Sequence, residues 1–434
     1  MRSAIENSVV ILGAGIAGIS AAYHLRKAGI SAAVYEANAT AGGLLDNFCI
    51  EGFRFDNAVH LSFATEPEVR AVFDRTPYLT HPAVSWCWDD GLWLKHPVQN
   101  NMFPIEVAQR VELISGFVAR PNIEVKNYRD WLNYQYGEAI ASRWSLPYTE
   151  KYWTVPAEQL GIGWIGDRVR RADLQEVLYG AFTSETPSYY YVSEMRYPCA
   201  GGYRAFIEPM IAEVDIHCQH RVTGISLSRR HVYFDNDRST GFDVLINTLP
   251  LPELIALIDE VPEQVRTAAG TLFATSVDLI SVGFRKADVQ PNLWFYIYDN
   301  DILAARAYSP SIKSPENVPA GCSSLQFEIY SSQRKPQTHT PEEMKRNTMM
   351  GLQKMGMVKD EDDVLFMHHK KLEWGNVVFD LGMEERRAIV RDWLETVGIL
   401  TAGRFGEWDY LWSNQAFMSG LRAAEAVKLR GVGQ

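Results

Sequence analysis

Near its start the chain carries Val9-Val10-Ile11-Leu12, apolar at every position. That is the pattern of a central parallel strand covered on both faces. The run passes through Gly13-Ala14-Gly15-Ile16-Ala17-Gly18 into Ile19-Ser20-Ala21-Ala22-Tyr23-His24-Leu25, which reads as a helix. A second strand, Ala32-Ala33-Val34-Tyr35, ends at Glu36. Residues 242–250 read as a strand returning to that sheet, and 399–406 as another short strand running into a glycine loop. Leu421, Ala424 and Val427 then mark a C-terminal helix. Two long insertions separate these pieces. From about 104 to 178 the spacing is helical, through Val107, Val111 and Ile114, then Trp131, Leu132 and Tyr136. From 272 to 366 the chain turns β-like, with runs at 277–284, 293–298 and 325–330.

The succession of strand, glycines, helix, strand and acid carries the first chemistry. Gly13 permits a tight turn, Gly15 lets backbone approach a pyrophosphate, and Gly18 lets helix and strand pack closely. The helix N-terminus then favours the anion through its unpaired N–H groups and dipole. Glu36, eighteen residues after Gly18, stands where a carboxylate accepts hydrogen bonds from an adenosine ribose. A glycine pair, Gly42-Gly43, follows closely. This resembles the signature of glutathione-reductase-like and amine-oxidase-like flavoproteins, where it marks FAD rather than NAD. The expected fold is therefore α/β: a Rossmann-type FAD-binding domain with a helical insertion and a mainly antiparallel β-sheet subdomain. The FAD-binding domain is expected to be discontinuous, over 1–80, 195–270 and 390–434. A helical domain takes 104–194, and a β-sheet substrate domain takes 81–103 and 271–389. A ligand cleft belongs at their junction.

Composition narrows the partners. A chain of 434 residues, 47% hydrophobic and 22% charged, has room for two or three globular domains. Its formal net charge of −11 repels nucleic acid and anionic membranes, so neither is expected as a partner. An anionic ligand must then be met by a few local cations. The five cysteines are widely spaced with no CxxC pair; they read as reduced thiols, and no metal is expected. The apolar stretch after Val9 lacks the positive flank of a signal peptide. Nowhere do ~20 apolar residues run uninterrupted. A cytoplasmic protein is expected.

Several strings, in order along the chain, resemble the UDP-galactopyranose mutase family, nearer its eukaryotic form. They are Leu94-Lys95-His96-Pro97-Val98-Gln99-Asn100-Asn101, Pro147-Tyr148-Thr149-Glu150-Lys151-Tyr152-Trp153-Thr154-Val155-Pro156, and Trp164-Ile165-Gly166-Asp167-Arg168-Val169. Arg196-Tyr197-Pro198 with Gly201-Gly202 follows, and last Gly403-Arg404-Phe405-Gly406-Glu407-Trp408-Asp409-Tyr410. The resemblance implies an isomerase that interconverts pyranose and furanose forms of a UDP-hexose without net redox change. N5 of reduced FAD acts as nucleophile at the anomeric carbon in that family, and NAD(P)H is a candidate reductant. Carried over residue by residue, it implies that Arg168 and Arg306 clamp the diphosphate, with Tyr296 and Tyr410 donating to it. Gln99, Trp153 and Asn414 match further substrate positions. His60 matches a histidine on a mobile loop beside the flavin, and Arg404 an arginine beside it. Ala17, Val222 and Asn414 join the glycines and Glu36 as cofactor contacts. His60, Arg168 and Arg306 are the implied catalytic set. Taken singly, each arginine reads as a surface ion pair; as a set with Tyr-x9-Arg spacing at Tyr296 and Arg306, they read as phosphate ligands.

Departures from the family pattern bear on the substrate. Two glycines precede its histidine, where this chain has Ala58 and Val59. Glycine tolerates positive φ and backbone flips that valine resists. An aromatic pair near Gln99 is replaced by His96 and Val98, an asparagine by Thr149, and a phosphate-contacting tyrosine by Asn376. The partner is expected to be a nucleotide sugar, UDP-linked by resemblance, with sugar and base left open. Two other readings share the fold. One is an FAD-dependent oxidoreductase of the amine oxidase or desaturase type. The other is a flavoprotein that binds a nucleotide sugar without turning it over. The set Arg168, Tyr296, Arg306 and Tyr410 is one an amine substrate would not need.

Overall fold

The computed structural model describes residues 9–166, 169, 173–187 and 194–431. Val9–Leu12 is the middle of a five-stranded sheet in the order Ile399–Thr401, Val244–Asn247, Val9–Leu12, Ala32–Tyr35, Asp215–His217. Every neighbouring pair is parallel. All four residues of Val9–Leu12 are buried, as an unbroken apolar run requires. Pieces from the start, middle and end of the chain thus share one layer. The helices Ile16–Lys27 and Ser413–Leu429 pack tightly beside it: a Cβ at Gly420 would lie 2.2 Å from the carbonyl oxygen of Ala17. Only glycine allows that approach.

A second layer has seven strands, in the order Val364–Leu372, Ser276–Phe284, Ser323–Ser331, Arg306–Tyr308, Trp294–Ile297, Trp86–Asp89, Leu92–Lys95. Its neighbours are antiparallel except Trp294–Ile297 with Trp86–Asp89. Ser323–Ser331 is buried at every position, so its polar residues Gln326 and Glu328 must find partners inside the protein. Helical elements interrupt the β-like stretch expected over 272–366, the short Pro310–Lys313 and one much longer. Pro341–Lys354 is a helix, opened by a capping box between Thr340 and Glu343 with proline at its first turn.

The helical insertion contains Val107–Val118, Tyr128–Tyr136, Leu146–Tyr152 and Leu174–Phe182. Among the described residues, no helix is long and apolar enough to cross a membrane.

Candidate active site

The glycine loop separates two kinds of glycine. A Cβ at Gly13 would lie 2.3 Å from Thr248 Oγ1, and one at Gly18 would lie 2.0 Å from the Gly13 carbonyl oxygen. The protein's own packing demands both. A Cβ at Gly15 would meet nothing within 4 Å, and the helix that follows it, Ile16–Lys27, has no side-chain cap. Open space before uncapped N–H groups is what a pyrophosphate needs, so this loop fits a dinucleotide. Gly42 closes it, donating its N–H to the Ala14 carbonyl at 2.8 Å. Glu36 is buried and accepts from the N–H of Ala14 at 2.9 Å. Asn38 steadies its other oxygen through its backbone N–H at 2.9 Å and its amide at 2.7 Å. Val222 lies opposite Phe234, whose ring stacks on Tyr35 at 4.6 Å. Ala17 faces the C-terminal pieces, where a Cβ at Gly403 would lie 2.8 Å from its own.

On the large sheet, Tyr296 and Arg306 are direct cross-strand partners. The Tyr-x9-Arg spacing is therefore a hairpin that sets both on one face. Arg306 donates through Nε to Glu328 and through Nη2 to the Tyr330 hydroxyl at 3.0 Å. Its guanidinium lies over the Tyr152 ring, 5.1 Å from the centroid. Tyr152 and Tyr410 share a hydroxyl–hydroxyl bond of 2.9 Å. The Tyr410 ring also meets Trp153 at 5.2 Å and the guanidinium of Arg404 at 5.5 Å. Arg404 donates to the Leu411 carbonyl at 2.7 and 3.0 Å, to the Gly375 carbonyl at 3.2 Å and to Asn376 Oδ1 at 3.3 Å. Tyr296 touches His96 at 4.8 Å and Tyr148 at 5.6 Å. His60 stands against Tyr203, ring centroids 5.3 Å apart.

His60, His96, Tyr148, Arg306, Arg404 and Tyr410 all keep partial solvent access although protein surrounds them closely enough to desolvate them. Burial pulls His60 and His96 down to about 4, so both rings are neutral at pH 7. It also lowers Arg404, helped by the charge on Arg306. Burial works against Arg306 too, but Glu328 and the neighbouring phenols hold its guanidinium well above its ordinary value. Two fixed cations face one buried carboxylate here, a local positive balance in an acidic chain.

The remaining sequence-derived residues fall as follows. Trp153 is buried against Tyr410. Gln99 is buried in the turn Val98–Asn100 after His96. Asn414, near the start of Ser413–Leu429, donates its amide to Glu66 at 2.7 Å. Arg168 lies outside the described residues. Sequence reasoning missed Tyr152, Glu328 and Tyr330. The available signal was a glutamate in the β-like run 325–330.

The sequence profile of flavin containing amine oxidoreductases matches residues 141–428, most of the chain, and that of an NAD(P)-binding Rossmann-like domain matches residues 11–76. The chain belongs to the flavin containing amine oxidoreductase family. As a member of that enzyme family with a dinucleotide-binding domain, it takes FAD as its implied cofactor. The resemblance to UDP-galactopyranose mutase extends to the whole fold. Reduced UDP-galactopyranose mutase superposes on this flavoprotein with a TM-score of 0.90 at 25% identity, covering 98% of this chain and 94% of the other. Wild-type putrescine oxidase bound to putrescine shares the fold at a TM-score of 0.65 and 16% identity, covering 98% and 99%. Among curated relatives, a 1-hydroxycarotenoid 3,4-desaturase of Flavobacterium sp. (strain P99-3) is 31% identical over 112 residues, 23% of this chain and 22% of the relative. Protoporphyrinogen oxidase 2, chloroplastic/mitochondrial, of Arabidopsis thaliana is 35% identical over 66 residues, 15% and 13%. The chain spans about a fifth or less of the length of these curated relatives.

Proposed function

We propose that the protein is a flavin-dependent nucleotide-sugar mutase, interconverting pyranose and furanose forms of an NDP-sugar that is UDP-linked by resemblance. One observation carries the reading: the cross-strand pair Tyr296 and Arg306 stands in one cluster of phenols and guanidinium groups, in which Arg306 lies over the Tyr152 ring, Tyr152 bonds Tyr410, and Tyr410 meets Arg404. When bound in its reduced form, with NAD(P)H a candidate source of electrons, FAD supplies the nucleophile for the anomeric carbon. The chain's own side chains do the rest. Arg306, held in place by Glu328 and Tyr330, offers fixed positive charge to a departing diphosphate with no reorganisation. Tyr296 and Tyr410 supply hydroxyl donors, and Arg168 is assigned the second guanidinium of the clamp. Asn414, Gln99 and Trp153 are assigned to the sugar and nucleotide. His60, neutral at pH 7, offers one N–H donor and one acceptor nitrogen but adds no charge. The glycine loop, Glu36, Ala17 and Val222 are assigned to the cofactor.

The desaturase and oxidase matches favour a second reading, an FAD-dependent oxidoreductase. The cations Arg306 and Arg404 disfavour an amine but leave that reading open for other substrates. The two are separated by incubating dithionite-reduced protein with UDP-galactofuranose and resolving the products by chromatography. Pyranose product formed only after reduction is expected. No isomerisation with any NDP-furanose, together with bleaching of oxidised flavin by an apolar substrate, would overturn the mutase reading in favour of the oxidoreductase.

A further inference from the structure

Glu328 occupies a place that neither the fold nor ion pairing alone requires. It lies at the centre of Ser323–Ser331 with no solvent exposure, opposite Arg306 in the strand register. One carboxylate oxygen accepts from Arg306 Nε and from the Tyr330 hydroxyl. The other reaches out of the sheet and accepts the backbone N–H of Val59 at 2.8 Å. Val59 sits between Ala58, whose φ is +71°, and His60. A single buried carboxylate therefore ties the histidine loop to the arginine assigned to the diphosphate.

We infer that Glu328 is a positioning residue that couples anion occupancy at Arg306 to the conformation of the loop 57–60. The inference rests on the proposed diphosphate role of Arg306. A buried carboxylate holds as much hydrogen bonding as its surroundings offer. An anion at the guanidinium competes with Glu328 for that positive charge. The carboxylate then leans on its remaining strong donors, and the Val59 N–H bond tightens. Ligand arrival at the sheet is thereby read out at the loop, through two bonds to one side chain. Burial opposes charge on Glu328, yet Arg306, Tyr330 and the Val59 N–H hold it ionised, below the ordinary glutamate range. The left-handed conformation of Ala58 makes the loop a strained segment that needs such an anchor.

A purely structural ion pair would affect melting and nothing else. Amide hydrogen exchange of the peptide spanning 57–60, in FAD-loaded protein with and without saturating UDP, separates the two. In wild type, UDP should slow exchange at Val59 by at least about fivefold. In Glu328→Gln, exchange without ligand should be faster and the UDP response lost, while UDP still binds by calorimetry. Glu328→Asp keeps the charge but shortens its reach, and serves as the second variant if the first does not fold. Its UDP response should also vanish. An unchanged Val59 response in either folded variant, or no response in wild type, overturns the coupling. If UDP does not bind wild type at all, the nucleotide-sugar reading fails, and inorganic pyrophosphate becomes the probe of Arg306. A loop response to pyrophosphate then supports the coupling by itself, and its absence overturns that too.

Discussion

Gly15 and Gly18 sit three residues apart on one loop, and their substitution to alanine should fail in different ways. At Gly18 a methyl group would press to 2.0 Å from a carbonyl oxygen, so Gly18→Ala should destabilise the fold by roughly 1–3 kcal/mol or more. At Gly15 nothing lies within 4 Å. Gly15→Ala should leave the FAD-free protein within about 0.5 kcal/mol of wild type yet purify with little flavin. Melting curves of apoprotein and the ratio of flavin to protein absorbance check both. Equal melting losses for the two variants would refute the distinction. These roles were legible because positive φ and close approach are properties of glycine itself. The role of Glu328 was not legible, since Arg306 lies on the neighbouring strand without a local mark and Val59 comes from a remote part of the chain. The loop before His60 was half legible: a non-glycine residue does adopt positive φ, but it is Ala58, while Val59 spends its N–H on Glu328. The histidines give a further expectation. Burial holds His60 and His96 at about 4 in the folded protein, against about 6.5 unfolded. Stability from keeping them neutral is complete above pH ~6.5 and is lost as pH falls toward 4, because only the unfolded chain takes up the protons. The loss should be on the order of 2–3 kcal/mol for each histidine, about 5 kcal/mol for the pair. Urea midpoints at pH 7 and 4.5 measure it, and His96→Asn should remove about half of the difference, His60 keeping the rest.

At the scale of elements, periodicity located helices better than it located their buried faces. Val107, Val111 and Ile114 announced the helix Val107–Val118, yet Val107 and Val111 are 60% and 59% exposed. Its inward face is Leu113 and Phe117, only two residues and so too few to stand out in the sequence. Phe117→Ala should cost about 3–5 kcal/mol of stability, and Val111→Ala no more than about 0.5 kcal/mol. Denaturant unfolding of the two variants decides the matter; a large loss at Val111 would mean that this stripe is covered. The helix Pro341–Lys354 was hidden for another reason. Its capping residues Thr340 and Glu343 are a readable start signal, but the strong β runs on either side set the expectation for the whole stretch. In the hairpin, by contrast, the spacing of Tyr296 and Arg306 translated directly into cross-strand register.

For the whole molecule, the parallel sheet could be anticipated because each strand announces itself by an apolar run beside a glycine or a turn. In the large sheet, segments 81–103 and 271–389 were grouped together from sequence, but the strand pairing that joins them could not be read there. Trp86–Asp89 joins it by pairing with Trp294–Ile297, a contact between segments some two hundred positions apart with no local mark. That pairing brings His96 against Tyr296, while Leu146–Tyr152 brings Tyr152 over Arg306 and the loop at 410 brings Tyr410 against Tyr152. Separate parts of the chain therefore meet in one cluster, and a ligand there should hold them together. UDP at a hundredfold excess over its dissociation constant should stabilise the FAD-loaded protein by about 2.7 kcal/mol. Arg306→Ala should lose most of that shift while keeping the stabilisation given by FAD, and its turnover should fall by at least about a hundredfold, ~3 kcal/mol of charge stabilisation. Glu36→Ala should do the reverse, losing the FAD shift first. The two variants separate the anion held on the large sheet from the anion held at the glycine loop. Should Arg306→Ala respond to UDP as wild type does, the guanidinium serves the cofactor or the fold, and the diphosphate must be held elsewhere.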